Sequence, residues 1–233
     1  MRTLNPGASR GHKYAALLAL LLVSLAVQSF DARLGAEGTL SDACRTLLAI
    51  AMLLVVFERR RERTVMAVII SAAFAIAWWR DASGTSLDTA LSIALSALIS
   101  LFDWAAVWVI LRDLLRRRAV GAENVLGAIC GYLIAGDAWA GVNDVAYLLA
   151  PAAYSINPAV EALLSDWHGR HALFSYYGFT QMLTLGYADV TPARAPATTL
   201  SLLGALFGVF YTAIVVSQLV QLAQSEKRPT NGG

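Results

Sequence analysis

Two cysteines and three histidines are all that this chain of 233 residues carries of the side chains that build disulfide scaffolds, zinc sites and nucleophilic dyads. Cys44 and Cys130 lie in or beside apolar stretches. That placement argues against a disulfide framework or a metal site and points to plain packing. His12, His168 and His171 all fall outside the predicted hydrocarbon, so no nucleophile–base pair is expected at membrane depth. Charge is scarce as well: 15% of residues are charged, with a net charge of +2. The basic residues sit beside apolar runs rather than on a solvated face, which argues against a nucleic-acid partner. Inverted repeats and metal-ligand spacings are missing too, which weakens a secondary transporter and a metalloenzyme.

Apolar sequence is what the chain has in excess. It is 58% hydrophobic, with a mean hydropathy of +0.58. A soluble domain of this length would not be so greasy. Charges gather at intervals and leave long apolar runs between them, the pattern of a multi-pass membrane protein. Spans are expected at about 14–30, 43–57, 64–80, 87–111, 122–150 and 195–224. The second and third are short for ~30 Å of hydrocarbon at about 1.5 Å per residue. The first run follows Arg2, Arg10 and Lys13 and is read as an uncleaved helix; a signal peptide cut near Val27-Gln28-Ser29 is the alternative. With the amino terminus in the cytoplasm, only Arg33, Arg45, Arg80, Arg170 and Arg194 of the 18 basic residues lie outside. The positive-inside rule then makes both termini cytoplasmic and the loop after span five external. Trp78 and Trp79 close span three at the outer interface, where indole rings settle. The polar residues from Ser225 onward are expected to hold no ligand-binding module.

The external loop carries the most specific signal. It reads Thr184-Leu185-Gly186-Tyr187-Ala188-Asp189, with Pro192 beyond and Tyr176-Tyr177 a helix length before. This run resembles the selectivity-filter signature of potassium channels, Thr-Val-Gly-Tyr-Gly followed by Asp. In that family, loop carbonyls replace the water shell of a potassium ion. The resemblance implies K+ sites at Thr184, Leu185, Gly186 and Tyr187, with Ala188 at the outer end. It also implies that Tyr187 braces the filter wall. Asp189 would sit behind the filter and bond an aromatic of the pore helix, for which the matching position is Tyr176. Asn157-Pro158 is a plausible helix start. A short outer helix is expected to run to about Trp167 and break at Gly169, followed by a pore helix over about His171 to Leu183 whose carboxyl end favours a cation. A ring of carbonyls needs several copies, and each chain has one filter; the resemblance implies a homotetramer. Leu126-Gly127-Ala128-Ile129-Cys130-Gly131-Tyr132-Leu133 in span five is similar to small bacterial six-span members of the ion-channel (two-transmembrane pore) family. The resemblance covers roughly residues 122–224.

Several positions depart from the family or stay open. Ala188 stands where the signature has glycine, and a left-handed angle there costs an alanine roughly 1–2 kcal/mol. Gly208 and Gly204 lie within span six: Gly208 falls where relatives have a gating hinge, and close helix packing by small residues is the other reading. Span four holds no arginine or lysine before Arg112, so steep voltage dependence is not expected. Asp103 and Asp137 are acids at membrane depth, read either as proton-modulated gating, through Asp137, or as hydrogen bonding between helices. Asn143 and Asp144 are expected near headgroups or the turret.

The chain is therefore read as an all-α integral membrane protein: six transmembrane helices plus a re-entrant pore helix and selectivity filter. A four-helix membrane domain covers 1–118 and a pore domain 119–233. The expected activity is passive K+ conduction across the cell membrane by a lipid-embedded homotetramer. No enzymatic activity is expected, and no cofactor other than permeant K+. A weakly selective cation channel and a non-conducting scaffold are the alternatives.

Overall fold

The computed structural model describes residues 13–34, 39–83, 89–116, 122–186 and 189–226. It is all-helical, with 88% helix. In chain order the helices are α1 (Lys13–Leu34), α2 (Thr39–Val55), α3 (Arg60–Ser83), α4 (Thr89–Arg116), α5 (Ala122–Leu149), α6 (Trp167–Met182) and α7 (Ala197–Glu226). A helix occupies each predicted apolar segment. Four of them are long and apolar enough to cross a membrane: Arg60–Trp79, Thr89–Arg116, Glu123–Leu149 and Ala197–Gln218. The apolar part of α1, Lys13–Gln28, is shorter. α2 begins four residues before the expected span and carries Asp42 in its first turn, with Arg45 three positions further on. Asp42 there complements the helix dipole.

α5 packs against α1, α4, α6 and α7. It does so through small residues. A Cβ on Gly141 would meet the Ser100 side chain of α4 at 2.6 Å, and a Cβ on Gly178 of α6 would meet the Gly136 carbonyl of α5 at 2.7 Å. Backbones therefore lie nearly in contact on both sides of α5. Ser100 also donates to the Ala138 carbonyl at 2.9 Å. The main core crosses the boundary expected at residue 118: Leu17, Met52, Phe102, Ile134, Trp139 and Met182 belong to one cluster. Cys44 and Cys130 are buried and free.

The outward faces are apolar too. Trp108 is 69% exposed, Val68 65% and Leu202 61%. A soluble monomer rarely shows so many large apolar side chains to water. With four apolar helices of spanning length, these faces are those of a membrane protein.

After α5 the chain forms a cap. A short 3-10 helix, Pro158–Ser165, follows strand β1 (Tyr154–Ile156). β1 pairs antiparallel with β2 (Val190–Pro192), placing Ile156 opposite Val190. The residues before α6 are thereby tied to those after the Thr184 loop.

Candidate functional site

The site is the turn that leaves α6, with the polar groups behind it. Asp166 caps α6, its carboxylate accepting from the Gly169 amide at 2.8 Å. The helix therefore starts at Trp167, four residues before the expected pore helix. Gly169 does not break it but packs in its first turn, where a Cβ would meet the Leu163 carbonyl at 2.6 Å. Asn157 caps the 3-10 helix as expected, accepting from the Ala159 amide at 3.1 Å.

At its carboxyl end α6 unwinds tightly. The Thr184 amide donates to the Gln181 carbonyl and the Leu185 amide to the Thr180 carbonyl, both at 3.0 Å. Thr184 (φ 54°) and Gly186 (φ 71°) both take left-handed backbone angles. Glycine adopts such an angle freely, whereas threonine does so only where its surroundings impose it. Thr184, Leu185 and Gly186 are exposed. Among the described residues, no hydrogen bond reaches the carbonyl of any of the three. Tyr187 and Ala188, the outer part of the expected filter, lie outside the described residues.

Behind this turn stands a buried hydrogen-bond network. Asn143 of α5 donates to Gln181 Oε1 at 3.1 Å and to the Trp139 carbonyl at 2.8 Å. Tyr154 of β1 donates to Asn143 Oδ1 at 3.1 Å. Gln181 Nε2 donates to Ser201 Oγ of α7 at 3.0 Å, and the same hydroxyl meets the Tyr177 phenol at 2.7 Å. The last turn of α6 is thus clamped from two sides, by α5 and α7, with Tyr154 bracing Asn143. Burial pushes the Tyr154 phenol above its ordinary pKa, so it stays a neutral donor. Tyr147, Tyr154, Phe174 and Tyr177 add an aromatic cluster on the same side.

The other end of α6 is held by charge. Arg170 Nε donates to Asp144 at 2.5 Å, and Ser96 Oγ of α4 donates to the other carboxylate oxygen at 2.5 Å. Asn143 and Asp144 are each 0% exposed. This corrects their expected place at headgroups or turret. Their two successive side chains share the inward arc of α5, and the sequence signal was there: adjacent polar residues in an apolar helix need a buried partner.

Asp189 also has a different partner from the one implied. Its carboxylate accepts from Asn157 Nδ2 at 2.9 Å, and its carbonyl accepts from the Asn157 amide at 2.8 Å. Tyr176 points outward, 45% exposed. Position 157 lies 32 residues upstream, and only the β1–β2 pairing brings it there.

Of the two open readings of Gly208, close packing is the one the geometry favours: a Cβ there would strike the Met182 carbonyl at the end of α6. Gly204 lies against the Gln181 side chain, with a Cβ 3.1 Å from Oε1. Asp137 of α5 accepts from His171 Nε2 at 3.1 Å and Ser175 Oγ at 3.3 Å, both on α6, as the interhelical reading expected. Asp103 lies apart from this turn, beside a cavity. At the far end of α4, Arg112 is paired with Glu62 at 2.9 Å and Asp113 at 3.1 Å. The turn's chemistry is that of carbonyl oxygen: three exposed acceptors, unpartnered among the described residues, at the carboxyl end of a helix whose dipole favours positive charge there. The chain matches no protein-family model, no curated protein and no solved structure.

Proposed function

We propose that the chain is one subunit of a potassium channel, in which four copies bring their Thr184–Tyr187 turns together around a common axis. The observation that carries this reading is the run of three adjacent exposed carbonyls that accept no hydrogen bond among the described residues, on a turn whose last helical residues are held through Gln181 by Asn143 and Ser201. Exposed carbonyls of this kind are open to a ligand, and oxygen atoms presented in rings are what a dehydrated K+ requires. Rigid backing keeps the ring from collapsing onto a smaller ion. The resemblance of residues 184–189 to the filter signature supports the same reading. In it α6 is a re-entrant pore helix, α5 and α7 are the outer and inner helices, and α1–α4 complete six spans. Both termini are cytoplasmic in the cell membrane, and the exposed apolar faces of α7 meet lipid and neighbouring subunits.

The chain then acts as a passive conduit rather than an enzyme. No ladder of arginines crosses α4, so opening is not steeply voltage-dependent. The test is ion flux in liposomes holding the purified full-length protein, with the reversal potential measured in mixed sodium and potassium. The expected potential follows potassium alone. A potential that tracks the sum of both ions makes this a weakly selective cation pore. A monomeric particle, or an assembled one without flux, refutes conduction.

A further inference from the structure

A second polar site lies away from the Thr184 turn. A cavity of about 480 Å³ opens between α2, α3, α4 and α5, with Trp167 of α6 at one side. Its wall is apolar over most of its area, with Phe74, Trp78, Leu95 and Phe102 facing in, and Asp103 and Asp137 set into it. That size and mixture suit a small organic ligand. Asp103 is 6% exposed, and its Oδ2 is buried with no hydrogen-bond partner among the described residues. Ionised or protonated, that oxygen points at nothing, which buried polar groups rarely do.

The polar groups around it leave Asp103 without a partner. Arg45 of α2 also lines the cavity; its guanidinium lies 5.0 Å from the Trp167 ring centroid, and its Nε has no acceptor among the described residues. Three carboxylates line the cavity, Asp42, Asp103 and Asp137, and of these only Asp103 has no hydrogen-bond donor among the described residues. The remaining neighbours are already committed. Asp42 accepts from His168 at 3.0 Å, His171 is bonded to Asp137, and Arg170 is bonded to Asp144. Asp103 therefore lacks a partner in a site that is otherwise greasy and aromatic.

We propose that this cavity binds a hydrophobic amine, with its ammonium on Asp103 and its apolar body against Phe74, Trp78, Leu95 and Phe102. Aromatic walls favour a cation, and a buried carboxylate oxygen accepts its N–H strongly.

The full-length protein in nanodiscs, titrated at pH 7 with 1-adamantylamine and with 1-adamantanol, tests this. The two probes share one cage and differ in ammonium against hydroxyl. Saturable binding of the amine is expected, about tenfold or more tighter than the alcohol, as one charge-assisted hydrogen bond implies. Asp103→Asn brings the two probes to equal affinity. Arg45→Met tightens the amine, a change that mere loss of structure would not produce. Equal binding of both probes to the unaltered protein, absence of saturable binding, or a preference that survives Asp103→Asn overturns the proposal. The comparison on the unaltered protein decides the matter even if neither variant folds.

Discussion

Replacing Gly208 by alanine separates two physical roles that share one residue. A flexible hinge and a close packing contact make opposite demands on stability. As a hinge in a continuous helix, glycine is the weaker residue, and Gly208→Ala adds up to about 1 kcal/mol of helix propensity. As a packing contact, the added methyl meets Met182 at three backbone atoms, its carbonyl oxygen, carbonyl carbon and Cα, the last two at 2.7 and 2.8 Å. Backbone cannot swing away as a side chain end can. Overpacking costs about 1–3 kcal/mol, and a backbone clash belongs in the upper half of that range. The net expectation is a loss of about 1–2 kcal/mol. Two neighbours calibrate it. Gly204→Ala meets the flexible Gln181 side chain at 3.1 Å and is expected near neutral. Gly127→Ala meets the Tyr14 ring at 3.5 Å, ordinary contact, and is expected to stabilise by up to about 1 kcal/mol. The assay is denaturant or thermal unfolding of the three purified variants beside the parent. The order should be Gly127→Ala, then Gly204→Ala, then Gly208→Ala. If Gly208→Ala is as stable as the parent or more so, α7 does not press on the end of α6, and the clamped turn loses one of its walls.

Asn143→Leu leaves the Tyr154 hydroxyl and the Gln181 amide oxygen without their partner, at about 1–3 kcal/mol for each buried group; potassium flux in liposomes should fall with it, and full flux would remove the network from the account. Arg170→Met alone strands the fully buried Asp144 carboxylate and should cost about 3–5 kcal/mol, while adding Asp144→Leu should recover most of that loss in the same unfolding assay. The Tyr154 phenol has a folded pKa raised above the ordinary value near 10, so its folded state holds the proton more tightly than the unfolded one. Its stabilisation is complete below about pH 10 and lost as pH rises through the higher folded value. Unfolding measured from pH 9 to 11 should show a decline that Tyr154→Phe reduces. Asp189→Asn keeps an acceptor for Asn157 and should leave stability within about 0.5 kcal/mol, whereas Asn157→Ala unties the 3-10 helix cap as well and should cost about 1 kcal/mol.

Helix positions were legible from the sequence alone because an apolar run of this length has one way to satisfy its backbone without water. The ends drifted where one side chain decided them: Asp166 captured the Gly169 amide and began α6 before His171, and Asp42 sat inside α2 although the expected span began at residue 43. The Thr184–Asp189 run was visible as a motif, whereas the tight turn after α6, with left-handed angles at Thr184 and Gly186, came from the structure. The fixings behind it were not visible. Asn157 and Asp189, Asn143 and Gln181, Arg170 and Asp144 are separated by 26 to 38 residues, and no local period links them. Hydropathy places a polar residue inside an apolar helix but does not say which neighbour it faces; that follows from how α4, α5 and α6 turn against one another. The same holds for the cavity beside Asp103. Single-chain order determined that these segments are helical and apolar, since that depends on neighbours three or four residues away. Tertiary packing alone decided which buried polar groups found partners and which, like Asp103, were left facing open space.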